Sequence, residues 1–185
     1  MRRGRSINDI LMPLADCPTQ AFLSNETQVA DILEWTLRQS GQADIIQSSF
    51  SISEEYLRRL FFMRRNNPDL IRSATLLLDH KATNKTAKLW PFIIQTIERT
   101  YLADNHSKIL VVNGSLLDAV IITSQNLTRG NRYESSIVTV IPEVVDNIRQ
   151  QLQSVINNQS VPLNEIFAEA NRNSGEIGFA LHDCL

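Results

Sequence analysis

The stretch Asn105–Ser135, NHSKILVVNGSLLDAVIITSQNLTRGNRYES, joins strand-like apolar runs to a set of polar side chains. The runs 108–112 and 117–123 predict two strands, and Asn113-Gly114 between them is a turn signal. A third strand is expected at 135–141. Because the three runs are closely spaced, they predict neighbouring strands of one sheet.

Upstream of this stretch, helical and strand patterns alternate. The predicted elements are a helix capped at Asn25–Gln28 and stopped by Gly41, a strand at 43–49, a helix from the Ser51–Glu54 capping box to about Asn66, a strand at 71–78, and a helix around Trp90. Pro91 lies either in the first turn of that last helix or at a kink. Downstream, Pro142 opens a helix as a first-turn proline.

This order of elements predicts an α/β fold, in which a mixed β-sheet is covered by helices. We expect an N-terminal extension at residues 1–24, the main domain at 25–160, and a C-terminal helical segment and tail at 161–185. An amphipathic segment at 163–170 is expected to pack back on the domain.

The composition predicts one globular domain. The 185 residues are 43% hydrophobic and 21% charged, which excludes disordered and collagen-like chains. Cys17 and Cys184 match no metal or disulfide spacing. Polar residues interrupt the segment after the basic start Met1–Arg5, and no apolar run approaches 18 residues. We therefore expect a cytoplasmic protein with no membrane association.

Charge is distributed unevenly along the chain. The formal net charge of −2 excludes a uniformly basic nucleic-acid binder, yet residues 58–108 hold ten Lys and Arg against four Asp and Glu. This excess suits a surface that faces phosphate. The alternative is that Arg58, Arg59, Arg64 and Arg65 form the solvated face of one helix.

Polar residues at the strand ends suggest a chemistry. His106 and Lys108 are two apart and share a face of their strand, as do Ser124 and Asn126 after the next one. An imidazole can attack phosphorus or protonate a leaving oxygen, while an ammonium and an amide stabilise the charge on phosphate oxygens. Glu134 can fix the imidazole tautomer. These are the types of group that phosphodiester cleavage without a metal needs, and no cofactor is expected.

The order of these residues resembles a known family. His106-Ser107-Lys108, then Thr123–Thr128 (TSQNLT) and Glu134, is similar to the HxK signature of the phospholipase D superfamily, above all to its small bacterial endonucleases with one motif. Leu78–Lys85 is similar to the strand and loop that these nucleases have upstream, so the similarity spans about residues 28–141. The resemblance implies a phospholipase D-like mixed sheet with helices on both faces.

The resemblance also implies roles for individual residues. His106 would form a phosphohistidine, Lys108 and Asn126 would hold the phosphate, Ser124 would support the phosphate or His106, and Glu134 would orient His106. The family uses two HxK motifs per site, and this chain has one, which implies a homodimer with the site on its two-fold axis. The family usually has Asp where this chain has Asn113, and Gly-Ser where it has Thr123-Ser124.

Several cationic residues near the motif are further candidates. Arg129 and Arg132 follow Asn126 and could bind the flanking nucleic-acid backbone, and Lys81 and Lys85 could reach phosphates. The alternative for the loop with His80, Lys81 and Lys85 is a surface with nothing bound. His182 and Cys184 lie near the terminus, where a metal site is not expected.

Three classes of function remain open. The first is a metal-independent phosphodiesterase that cleaves nucleic acid, with DNA placed ahead of RNA. The second is a nucleic-acid-binding or partner-binding dimer that keeps the fold without the chemistry. The third is a phospholipid phosphodiesterase, which is disfavoured because no interfacial amphipathic segment stands out.

Overall fold

The computed structural model describes residues 6–166, without the side chains of residues 82–86. The strands are β1 Thr19–Ser24, β2 Ala43–Ser49, β3 Ile71–Asp79, β4 Arg99–Ala103, β5 Ile109–Gly114, β6 Asp118–Thr123, β7 Glu134–Thr139 and β8 Val161–Pro162. The helices are α1 Val29–Ser40, α2 Glu54–Asn66, α3 Thr83–Thr96 and α4 Pro142–Gln159, with 3₁₀ turns at Ile7–Asp9 and His80–Ala82.

All eight of these strands form one mixed sheet in the order β1-β7-β6-β5-β2-β3-β4-β8. The pairs β2–β3 and β3–β4 are parallel, and the other neighbouring strands are antiparallel. The carboxyl ends of β2, β3 and β4 therefore meet the start of β5 at one edge of the sheet. The predicted α/β fold with a mixed sheet is confirmed.

Helices cover both faces of the sheet. The larger core lies between the sheet and α1, α2 and α3, where Leu33, Leu57 and Ile93 are fully buried. The smaller core on the opposite face contains Val145 and Ile156 of α4. Within residues 6–166, none of these helices combines the length and apolar character that a transmembrane segment requires.

The start of each of the first two helices differs from its sequence prediction. α1 begins at Val29 rather than after Asn25, because the Ser24 hydroxyl accepts the N–H groups of Glu26 and Thr27 and holds those residues in a turn. The Asp31 carboxylate accepts the Gln28 N–H and caps the helix there. The helix ends as predicted at Gly41, whose φ of 72° favours glycine.

α2 is capped by Ser53, whose hydroxyl accepts the Tyr56 N–H at 3.3 Å, and not by Ser51 as predicted. The chain before the cap stays extended because Ile52 forms a parallel bridge with Leu127. Pro91 lies inside α3 and beyond its first turn, so the first of the two alternatives for this proline is excluded. Pro142 is the first residue of α4, as predicted.

The sheet extends beyond residues 25–160 at both ends. β1 pairs antiparallel with β7 along its full length, and β8 pairs with β4. No local sequence pattern predicts these two strands or β4. Leu163 is fully buried and Ile166 packs against the larger core, so the described start of the 163–170 segment does pack on the domain.

Candidate active site

The residues of the sequence motif meet at the edge of the sheet where the parallel strands end. His106 and Lys108 immediately precede β5, Ser124 follows β6, and Glu134 begins β7. Asn126 lies two residues beyond Ser124 in the loop between β6 and β7. Because β5, β6 and β7 are consecutive neighbours in the sheet, these side chains share one edge, as the sequence predicted.

His106 is exposed and stands next to Lys108. The Lys108 ammonium donates to the His106 carbonyl oxygen at 2.8 Å, and its Nζ lies 3.5 Å from His106 Nδ1. On the other side, the ring of Phe50 packs against the imidazole, with centroids 5.2 Å apart and planes tilted by 57°. His106 Nε2 makes no hydrogen bond with the described residues, so an incoming group can approach it.

The charge of Lys108 depends on its surroundings. Partial burial lowers the pKa of its ammonium below the ordinary value of 10.5, and the negative charge of Glu134 acts in the opposite direction. The net effect is a lowered pKa. The Lys108 ammonium therefore loses its positive charge at a lower pH than a free lysine does.

Glu134 bonds to Ser124 in the structure. The Ser124 hydroxyl donates to a Glu134 carboxylate oxygen and accepts the Ser135 N–H at 3.1 Å. The resemblance implied that Glu134 would orient His106, but no hydrogen bond joins these two side chains within the described chain. The carboxylate is held by the start of β7 and faces Ser124 instead.

Asn126 is half-buried and held by β2. The Ser49 hydroxyl lies 3.3 Å from Asn126 Oδ1, donates to it, and accepts the Leu127 N–H at 3.1 Å. The Nδ2 group of Asn126 has no hydrogen-bond partner among residues 6–166. It is therefore a free amide donor at the site edge.

The loop that carries Asn126 is tied to the N-terminus of α1. The Gln28 carboxamide makes two hydrogen bonds to the backbone of Gly130, from Nε2 to the carbonyl oxygen at 2.9 Å and from the Gly130 N–H to Oε1 at 3.2 Å. Gln125 Oε1 accepts the Val29 N–H. The loop is thus fixed to the start of α1 by the Gln28 side chain from the helix and by the Gln125 side chain from the loop.

The other predicted phosphate-binding cations differ in their partners. Arg129 forms an exposed ion pair with Glu55 at 3.1 Å, whereas Arg132 is exposed and forms no ion pair within the described residues. Lys81 is exposed in the turn after β3, and its N–H donates to Asp79. The Lys85 side chain, together with His182 and Cys184, lies outside the described part of the chain.

Most of the arginines in the basic central segment are paired with carboxylates. Arg58 pairs with Glu54, Arg59 with Asp31, Arg64 with Glu98 and Arg72 with Asp44. Three of these four acids come from outside residues 58–108, so the charge excess in sequence is largely compensated in space. This favours the alternative in which the α2 arginines are a solvated, ion-paired face.

Sequence reasoning missed a buried polar cluster beneath the motif. Asn105 is 8% exposed, and its Nδ2 lies 3.0 Å from the hydroxyl of Ser48, which is fully buried. The Asn105 N–H donates to Asp79 at 2.9 Å. Burial raises the pKa of the Asp79 carboxyl, but the N–H groups of Lys81 and Asn105 outweigh it and hold that pKa low. Two hydroxyls at the end of the apolar run ADIIQSS were the available signal.

Asn113 lies at the opposite end of β5 from His106. Arg149 of α4 donates to Asn113 Oδ1 at 3.0 Å and to Asp118 at 2.8 Å. The position where the family usually has Asp is therefore part of a structural cluster with α4. Within residues 6–166, no group of three or more His, Cys, Asp or Glu side chains is arranged to hold a metal ion.

This mixed sheet with helices on both faces is an α/β fold that several solved structures share. The chain has this fold, and solved structures with it include a phospholipase D family member, Nuc from Salmonella typhimurium. Nuc is 15% identical to this chain and gives a TM-score of 0.57. The match covers 78% of this chain and 96% of the Nuc chain.

Two further solved structures share the fold. NucT from Helicobacter pylori is 12% identical, with 78% of this chain and 99% of its own covered and a TM-score of 0.59. Phosphatidylserine synthase from Haemophilus influenzae is 11% identical and gives a TM-score of 0.54. The match covers 78% of this chain and 40% of the synthase chain. No protein-family model and no curated protein matches the sequence. The resemblance read from the sequence is confirmed at the level of the fold.

Proposed function

We propose that the chain is a metal-independent phosphodiesterase that cleaves nucleic acid through a phosphohistidine at His106. The observation that carries the proposal is the exposed His106 imidazole, with Nε2 unengaged and the Lys108 ammonium 3.5 Å from Nδ1. An imidazole nitrogen next to a cation is suited to attack a phosphodiester, whose oxygens the cation neutralises.

In the proposed reaction, His106 Nε2 forms a bond to phosphorus and the bond from phosphorus to the leaving oxygen breaks. Lys108 and the free amide of Asn126 hold the non-bridging oxygens and stabilise their charge. A second imidazole protonates the leaving oxygen. Water then attacks the phosphohistidine, gives up a proton to that second imidazole, and releases His106 with a phosphomonoester product.

The second imidazole is proposed to be His106 of a second copy of the chain. An exposed apolar row on the α4 face of the sheet supports this arrangement, because it borders the site. Ile137 is 41% exposed and lies directly between Ala21 of β1 and Ile122 of β6, and Leu23 beside it is 67% exposed. Ile122 and Ile137 are two and three residues from Ser124 and Glu134. A second copy on this row would bring the two edges together.

The proposed substrate is nucleic acid, with DNA ahead of RNA. Lys81 and Arg132 are exposed at the same edge as Lys108, and neither forms an ion pair within the described residues. Unpaired cations beside a phosphate site can bind the phosphates on either side of the scissile one. Arg129 contributes after its exposed ion pair with Glu55 exchanges, which costs little.

The test is cleavage of plasmid, single-stranded DNA and RNA in excess EDTA by wild type, His106→Ala and His80→Ala. We expect the wild type and His80→Ala to cleave and His106→Ala to be inactive. With a substrate radiolabelled at its internal phosphates, an acid-labile label should attach to wild type and His80→Ala but not to His106→Ala. Salt-sensitive DNA binding without cleavage, unchanged by His106→Ala, would instead support the non-catalytic binding protein.

A further inference from the structure

His106 reaches the site with few contacts of its own. Its side chain is exposed, so its position depends on the backbone on either side, at Asn105 and Ser107. Both of these flanking residues are tied into the sheet. A nucleophile held in this way can be displaced by a change that never touches it.

The side-chain carboxamide of Asn105 connects Ser107 to the ends of the parallel strands. Its Oδ1 accepts the Ser107 N–H at 3.1 Å and the Ser107 hydroxyl at 2.7 Å. Its Nδ2 lies 3.3 Å from the carbonyl oxygens of Ser49 at the end of β2 and of Leu77 in β3. One buried side chain thus fixes the backbone on the far side of His106 to two parallel strands.

The backbone of Asn105 is held independently. Its N–H donates to the Asp79 carboxylate at the end of β3, and Asp79 also accepts the Lys81 N–H. Ser48 completes the cluster, because its hydroxyl contacts both Asn105 and Ser107. A carboxamide supplies, from one side chain, an oxygen acceptor for Ser107 and two N–H donors for the two strand carbonyls.

We infer that Asn105 is a positioning residue for the phosphodiesterase reaction, which fixes His106 by clamping the residues before and after it to the ends of β2 and β3. This inference rests on the proposed function of His106. Its consequence is preorganisation: the imidazole is held where phosphorus must approach, and a displacement of about 1 Å costs roughly 100-fold in rate.

The position of His106 has a spectroscopic signature. The Phe50 ring, 5.2 Å away, shifts the resonances of the imidazole protons through its ring current. The resonances of His106 are assigned by their absence in His106→Gln. They are then compared between wild type, Asn105→Ala and Asn113→Ala, which is the same substitution at the other end of β5. Single-turnover cleavage is measured on the same variants.

In folded Asn105→Ala, we expect the His106 resonances to move towards those of a free histidine and the single-turnover rate to fall about 100-fold. In Asn113→Ala, the His106 resonances and the single-turnover rate should both be those of wild type. Should Asn105→Ala fail to fold, Ser48→Ala removes one partner of the clamp and should shift the same resonances by a smaller amount.

Unchanged His106 resonances and rate in folded Asn105→Ala would overturn the inference, as would unchanged resonances in Ser48→Ala if only that variant folds. The proposed function fails separately. If wild type shows the expected resonance pattern but cleaves no nucleic acid, the clamp is supported and the nuclease activity is not.

Discussion

The substitution Asn113→Asp, which installs the residue usual in the family, should destabilise this chain. Asn113 lies directly across from Asp44 on β2 and from Asp118 on β6. A carboxylate there would stand between two others, and each like-charged pair directly opposite costs roughly 0.2–1 kcal/mol. Arg149 already donates to Asn113 and would offset part of this repulsion by pairing with the new carboxylate. A half-exposed ion pair contributes about 0–1 kcal/mol of stability.

The net expectation is a loss of about 1 kcal/mol in the free energy of unfolding. For a chain of this size, that lowers Tm by about 2–4 °C. The two neighbouring carboxylates raise the pKa of the new carboxyl in the folded state. The substitution therefore lowers the free energy of unfolding at neutral pH. This loss disappears as the pH falls below about 4, where the new carboxyl is protonated in both the folded and the unfolded state.

The assay is thermal unfolding of wild type, Asn113→Asp and Asn113→Ala in low and high salt. The pH is varied from about 3.5 to about 7.5, a range that includes the ordinary pKa of an aspartate carboxyl near about 4. Salt should narrow the gap between wild type and Asn113→Asp at neutral pH. Cleavage should be unchanged, because seven residues of extended chain, about 20 Å, separate position 113 from His106. A higher Tm or faster cleavage for Asn113→Asp would refute the reasoning.

Three further outcomes are expected. Glu134→Gln removes the charge that raises the pKa of Lys108, so oligonucleotide affinity measured against pH should fall at a lower pH than in wild type, while Glu134→Asp should follow wild type. Gly41→Ala places a side chain at a φ of 72° and should cost roughly 1–3 kcal/mol in urea unfolding, and a wild-type midpoint would contradict this. Ile137→Asp should convert the proposed dimer to an inactive folded monomer in light scattering, whereas Ile94→Asp on the opposite face, with comparable exposure, should change neither the proposed dimer nor its activity.

The sequence predicted those parts of the fold that carry their own pattern. β2 has the bounds expected from its apolar run, and Gly41 and Pro142 mark helix ends through their own backbone preferences. β1, β4 and β8, which were missed, lie at or near the sheet edges. Their strand conformation comes from pairing with partners distant in sequence, which no local pattern reports.

The site divides in the same way. His106, Lys108 and Ser124 could be named because a motif joins them in one stretch of sequence. Phe50 and Asn105 could not, since their roles depend on β2 and β5 being neighbours in the sheet. The pairing of Glu134 with Ser124 likewise depends on side-chain geometry at the strand ends. Residue types were predictable, whereas their contacts required the structure.

The attachment of Gly130 to Gln28 has a consequence for how the protein matures. These residues are 102 positions apart, so the attachment can form only after most of the chain has been made and has folded. Contacts of such long range form slowly, because a large loop must close first. During synthesis, the strands β2 to β6 would therefore be complete before the Gly130 backbone can reach Gln28. In the proposed nuclease, the phosphate site would assemble only once α1 and the loop between β6 and β7 have met.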